Sequence, residues 1–171
     1  MATVNADPVN ADPVNADKDL RKQLLALLKE AQAHATFDDA VADFPAAKRG
    51  IVPEGLPYSA WQLLEHLRIA QRDILEFSTN EDGRYEELKW PEGYWPKEAE
   101  PPSAKAWEES IAAIKEDLSE FEKLVEKGDL HTPFAWGQGQ NLLREVLLVA
   151  DHSAYHVGEL IMLRRLLGIW K

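Results

Sequence analysis

A chain of 171 residues, 45% of them hydrophobic, is long enough for one domain with a sizeable core. Its net charge of −11 and pI near 4.9 leave no basic stripe to meet phosphates, which argues against nucleic acid as a partner. The absence of cysteine removes disulfides, thiolate metal ligands and cysteine nucleophiles.

The chain opens on a repeated unit, Asn5-Ala6-Asp7-Pro8-Val9, then Asn10-Ala11-Asp12-Pro13-Val14, then Asn15-Ala16-Asp17. A recurring proline forbids a continuous helix, and the unit carries too little apolar surface to fold alone. Residues 1–17 therefore read as a disordered repeat tail, with Asp17 capping the first helix of a domain over 18–171. That helix is expected from about Lys18 to Phe37, with Leu20, Leu24, Leu27, Leu28 and Ala31 at helical spacing. A long connection rich in proline and glycine follows. A second helix starts at the N-cap Ser59 and runs to about Ser78, its inward stripe reading Leu63, His66, Ala70, Ile74 and Phe77. Another irregular segment, from about Thr79 to Pro102, contains Trp90-Pro91-Glu92-Gly93-Tyr94-Trp95-Pro96. Ser103 caps a third helix that runs to about Lys127 and stops at Gly128. The fourth spans about Asn141 to Leu167.

No segment reads as a strand. Four amphipathic helices of roughly 20 residues suit an all-α, antiparallel four-helix bundle with two long crossover connections. The N-terminus lacks the basic-then-apolar pattern of a signal peptide. The most apolar stretch, Leu142 to Trp170, carries Arg144, Glu145, Asp151, two histidines, Glu159, Arg164 and Arg165, too many for a membrane span. A cytoplasmic protein with no membrane partner is expected.

His152 and His156 stand four residues apart, so both imidazoles project from one face of the last helix. On that face they interrupt a seam of Leu142, Val149, Leu160 and Leu163; His66 interrupts the inward stripe of the second helix in the same way. Burying an imidazole costs free energy unless it is hydrogen-bonded or bound to metal. One such histidine alone is better read as a satisfied core residue. A pair at this spacing with a third inward histidine points to a metal site on His66, His152 and His156 with open coordination positions. Neutral imidazole suits zinc, nickel, copper or ferrous iron.

Glu159 and Glu145 project to the same side of the helix. Each is a candidate ligand, hydrogen-bond partner to an imidazole, or catalytic general base, against the plainer alternative of an ion pair with Arg144, Arg164 or Arg165. Asp73, two turns past His66, has equal standing. His34 would cap carbonyls near the end of the first helix or line the rim of the site, and His131 would be solvated in a loop. His-Ser-Ala-Tyr-His lacks the glutamate of the zinc-protease helix, and no Glu-x-x-His motif is present for a di-iron site. Trp90, Tyr94, Trp95 and Trp136 either pack the connections onto the bundle or wall a pocket over the metal.

Trp61-Gln62-Leu63-Leu64-Glu65-His66-Leu67, the Trp90–Pro96 segment, and Gly139-Gln140-Asn141-Leu142-Leu143-Arg144-Glu145 leading into Asp151-His152-Ser153-Ala154-Tyr155-His156-Val157-Gly158-Glu159-Leu160 together resemble the DinB-like superfamily. The resemblance covers about Lys18 to Trp170. It implies an up-down-down-up four-helix bundle and a metal triad at His66, His152 and His156. Related members include transferases and isomerases that use mycothiol, bacillithiol or glutathione, as well as metal-dependent hydrolases. The resemblance thus implies a divalent metal, a low-molecular-weight thiol as one candidate cofactor, a small-molecule substrate and a homodimer. The acidic charge lends no support to DNA binding. The residues themselves leave open a metal-dependent enzyme and a non-catalytic metal- or ligand-binding bundle.

Overall fold

The computed structural model describes residues 13–30 and 32–170; the first two repeat units up to Asp12, and with them most of the expected tail, lie outside the described residues. Those described form five α-helices and a short 3-10 turn, Ala46–Lys48, with no strand among them. The all-α expectation holds. The helices are α1 Pro13–Lys29, α2 Phe37–Val41, α3 Ala60–Ser78, α4 Ala104–Lys127 and α5 Leu142–Leu166.

Three of the long helices begin where side-chain caps dictate. Ser59 accepts from the Gln62 N–H while the Gln62 side chain accepts from the Ser59 N–H, closing a capping box on α3. Ser103 caps α4 through Ala106, and Asn141 caps α5 through Arg144.

The first helix departs from expectation at both ends. It starts at Pro13, so Asp17 lies inside α1 and pairs with Arg21 at 2.8 Å instead of capping. Proline is acceptable at a first helical position, where its missing N–H has no partner to lose. α1 also stops at Lys29 rather than near Phe37. Thr36 and Asp39 form their own capping box and start α2 on a new axis. Arg21 ties α1 to α4 by donating to the carbonyls of Val125 (2.5 Å) and Gly128 (3.0 Å), groups that a helix C-terminus leaves unpaired.

α3 packs on α4 and α5, and α1 packs on α4 and α5. One core cluster gathers Trp61, Leu64, Trp107, Leu160 and Leu163; another gathers Leu24, Phe121, Val125 and Val146. α2 seals one end against α5, where the buried Arg164 donates to the carbonyls of Ala40 (3.1 Å) and Ala42 (2.6 Å).

By length and composition alone, α5 is apolar enough to cross a membrane, contrary to the charge count above. Its charges gather at the two ends, leaving only Asp151 and Glu159 between Glu145 and Arg164. In the structure that apolarity serves the core through Val146, Val149, Val157, Leu160 and Leu163.

The connection between α3 and α4 folds back along α3 and is pinned to it at several points. Ser59 Oγ donates to the Ala99 carbonyl (2.5 Å) and Gln62 Nε2 to that of Pro96 (3.1 Å). Tyr94 Oη donates to Asp73 Oδ2 (2.8 Å). The Trp90–Pro91 peptide is cis.

Candidate metal centre

α3 delivers His66 and α5 delivers His152 and His156 to one point. Their Nε2 atoms form a nearly equilateral triangle: 3.1 Å from His66 to His156, 3.2 Å from His66 to His152, and 3.1 Å from His152 to His156. Imidazole nitrogens about 2.1 Å from a shared zinc ion stand roughly 2.9–3.4 Å apart for octahedral to tetrahedral angles, so the observed spacing fits a single ion.

The outer nitrogens decide where the protons are. His66 Nδ1 lies 3.1 Å from the Tyr94 carbonyl, which can only accept, so Nδ1 carries the hydrogen and donates. His156 Nδ1 donates to Glu159 Oε2 at 2.6 Å. In the neutral rings both Nε2 atoms are then bare lone pairs facing each other. His152 can place one hydrogen between itself and one neighbour, which leaves the other contact unbridged. A cation shared by the three Nε2 atoms would resolve this repulsion, and the outer acceptors fix the tautomers of His66 and His156 as they do around metal-bound histidines.

The neutral state is favoured by the surroundings. Burial, reinforced by the neighbouring His156 and His66, pulls the His152 pKa down to about 4. Burial also lowers His66, opposed by the Tyr94 carbonyl, and lowers His156, opposed by the Glu159 carboxylate. Unprotonated imidazole is the form that binds metal.

Glu159 accepts on both oxygens, from His156 and from Tyr58 Oη at 2.6 Å. Burial, with Glu159 adding to it, holds the Tyr58 hydroxyl protonated above the ordinary phenol range, as its donor role requires. Trp95 lies flat on His66, centroids 4.0 Å apart and planes 4° from parallel, and Tyr58 stacks on Trp95 at 5.3 Å. The His66 ring is thereby fixed at its edge by a carbonyl and on its face by an indole.

Above the triad opens a cleft of about 750 Å³, lined by Asp73, Glu87, Trp90, Tyr94, Trp95, Asp151, Tyr155 and Glu159 among others. Asp73 faces this cleft and accepts from Tyr85 (3.1 Å) and Tyr94 (2.8 Å). Three of the four aromatic residues considered for a pocket wall therefore line it. Trp136 does not: its indole donates to the Phe77 carbonyl at 2.7 Å and stacks on Phe134.

Glu145 is 1% exposed, holds Arg144 Nη1 with both oxygens at 2.8 and 2.9 Å, and is not part of the cleft lining. His34 follows the end of α1, where its Nδ1 lies 2.8 Å from the Ala35 carbonyl, and it lines a separate cavity between α1, α4 and α5. His131 is exposed. Tyr58, Asp151 and Tyr155 escaped the reading of the sequence. Asp151, Tyr155 and Glu159 follow one another at intervals of four, a spacing that marks the cleft side of α5. Tyr58 sits just ahead of a helix cap, with no periodic signal to reveal it.

The chain matches no curated protein and no solved structure. The profile of the DinB superfamily matches residues 27–160, a span holding all of α3 and α4, the three histidines, Glu159 and most of α5. With its triad in place and well over half of its length matched, the chain belongs to the DinB superfamily.

Proposed function

We propose that the protein is a metal-dependent enzyme acting on a small molecule bound in the cleft, as a thiol-dependent transferase or isomerase or as a hydrolase. One observation carries the reading: three Nε2 atoms converge within 3.2 Å with no hydrogen available for every contact. A divalent zinc, nickel or ferrous ion held by His66, His152 and His156 would supply Lewis acidity toward a water or thiol at its open positions. Around that ion the chain's own groups have distinct tasks. The Tyr94 carbonyl and Glu159 keep the hydrogens of His66 and His156 on Nδ1, and Tyr58 keeps Glu159 oriented. Trp95 covers the His66 face and limits water there.

The four long helices and their packing support the up-down-down-up bundle as the finer description of the fold, and a diffusible substrate suits a cytoplasmic protein. A non-catalytic metal-binding bundle is the second reading. It draws on Glu159, both of whose oxygens are already engaged, leaving it to position His156 rather than take a substrate proton.

The deciding experiment is metal content by plasma mass spectrometry on tag-free protein, wild type beside His152→Ala. Near-stoichiometric metal in the wild type and its loss in the variant is the expected result. Full occupancy in the variant, or no metal in the wild type after incubation with zinc, nickel and iron, would overturn the assignment.

A further inference from the structure

We infer that the cleft over the triad takes a small organic cation, an amine or guanidinium compound, in preference to an anionic ligand such as a carboxylate-bearing thiol. The inference rests on reading this cleft as the substrate site. Its lining contains the carboxylates Asp73, Glu87, Asp151 and Glu159 and no lysine or arginine. Among the described residues Asp73, Glu87 and Asp151 take part in no ion pair, and Glu159 pairs only with His156 while also accepting from Tyr58. The two charges of a divalent ion at the triad would offset two of the four carboxylates, so the cleft stays negative with metal bound.

Acidic side chains alone would describe a solvated surface. Two further features point to a ligand. The carboxylates line a concave cleft of about 750 Å³ over the triad instead of an open face. Trp90 and Tyr155, two large aromatic side chains, stand 67% and 65% exposed on the cleft wall. Such rings cost free energy in water, and their faces attract cations. Carboxylates interleaved with exposed aromatic faces recognise an organic cation through charge and ring together. The same lining repels the carboxylates of an acidic thiol cofactor, for which it offers no cationic partner.

The test is isothermal titration of the purified protein with agmatine and with glutarate, flexible ligands of opposite charge, with metal content measured on the same samples. Agmatine should bind, and more weakly as salt is raised; glutarate should not bind. The double variant Glu87→Gln/Asp151→Asn alters two exposed side chains, so the fold should survive, and agmatine binding should weaken by about tenfold at unchanged metal content. Trp90→Ala should weaken it further. Glutarate binding as tightly as agmatine, or agmatine binding unchanged in the double variant, would overturn the inference. Metal-loaded protein that prefers glutarate would sink the cation preference and leave the metal-enzyme reading standing. Agmatine binding by protein that takes up no metal would do the reverse.

Discussion

Glu159 meets the candidate metal site through the outer nitrogen of His156. It accepts the hydrogen of His156 Nδ1 and is itself held by Tyr58, so its charge makes the imidazole a better donor to an ion. Glu159→Gln keeps an acceptor oxygen but loses the charge. Metal affinity should fall by about 10- to 100-fold without vanishing, as read by competition against a chromophoric chelator, and Tyr58→Phe should give a smaller loss. Complete loss of metal in Glu159→Gln would instead make Glu159 a ligand. The triad was legible in the sequence because His152 and His156 stand one helical turn apart and His66 interrupts the apolar stripe of its own helix. The division between Glu159 and Glu145 was not, since both fall on the same helical stripe. Glu145 lies seven residues before His152, about 10 Å along the axis, and there it finds Arg144 instead of the site.

Helix boundaries were readable wherever a polar cap announced them, as at Ser59, Ser103 and Asn141. They were misread at α1, where proline at a permitted position and the Thr36 capping box both acted locally against an unbroken apolar pattern. Within α4 one residue works against the element that carries it. Asp117 is fully buried, its Oδ1 meets Arg72 as an ion pair, and neither oxygen accepts a well-formed hydrogen bond. Burial raises its pKa above the ordinary carboxylate value, opposed by Arg72. The folded state therefore holds this proton to higher pH than the unfolded chain does. Asp117 detracts nothing below the unfolded value of 3.8, and its cost grows as pH rises through the folded pKa. Asp117→Asn should stabilise the protein by about 1 kcal/mol at pH 7, with the gain shrinking toward pH 4 in urea unfolding. Equal destabilisation at both pH values would show that the Arg72 contact outweighs the burial cost.

For the whole molecule, the triad joins α3 to α5 across the bundle, two helices far apart in sequence. An ion bound to the folded chain and not to the unfolded one stabilises the entire fold by mass action. At a hundredfold excess over the dissociation constant this contributes about 2.7 kcal/mol, or roughly 5–10 °C in Tm for a domain of this size. Calorimetry with and without a chelator should show that drop in the wild type and none in His152→Ala; an unchanged wild-type midpoint would mean that no ion bridges these helices. The all-helical class and the helices that bear the triad were visible from periodicity alone. The cleft was legible only in part: Trp90, Tyr94 and Trp95 were read as candidates for its wall, but the path of the irregular segment that carries them is set by contacts distant in sequence such as Tyr94 with Asp73.

That segment grips His66 through the backbone carbonyl of residue 94 and leaves the side chain of the same residue facing the cleft. Any amino acid at this position supplies the carbonyl; the Tyr94 hydroxyl, bound to Asp73, holds the segment that carries it, whereas the exposed Trp90 and Tyr155 of the cleft wall are freer to change. The fold thus separates what must stay constant from what can be altered. Exposed wall residues could then be exchanged while His66 keeps its tautomer, a division of labour that would let one scaffold vary its cleft without disturbing the triad.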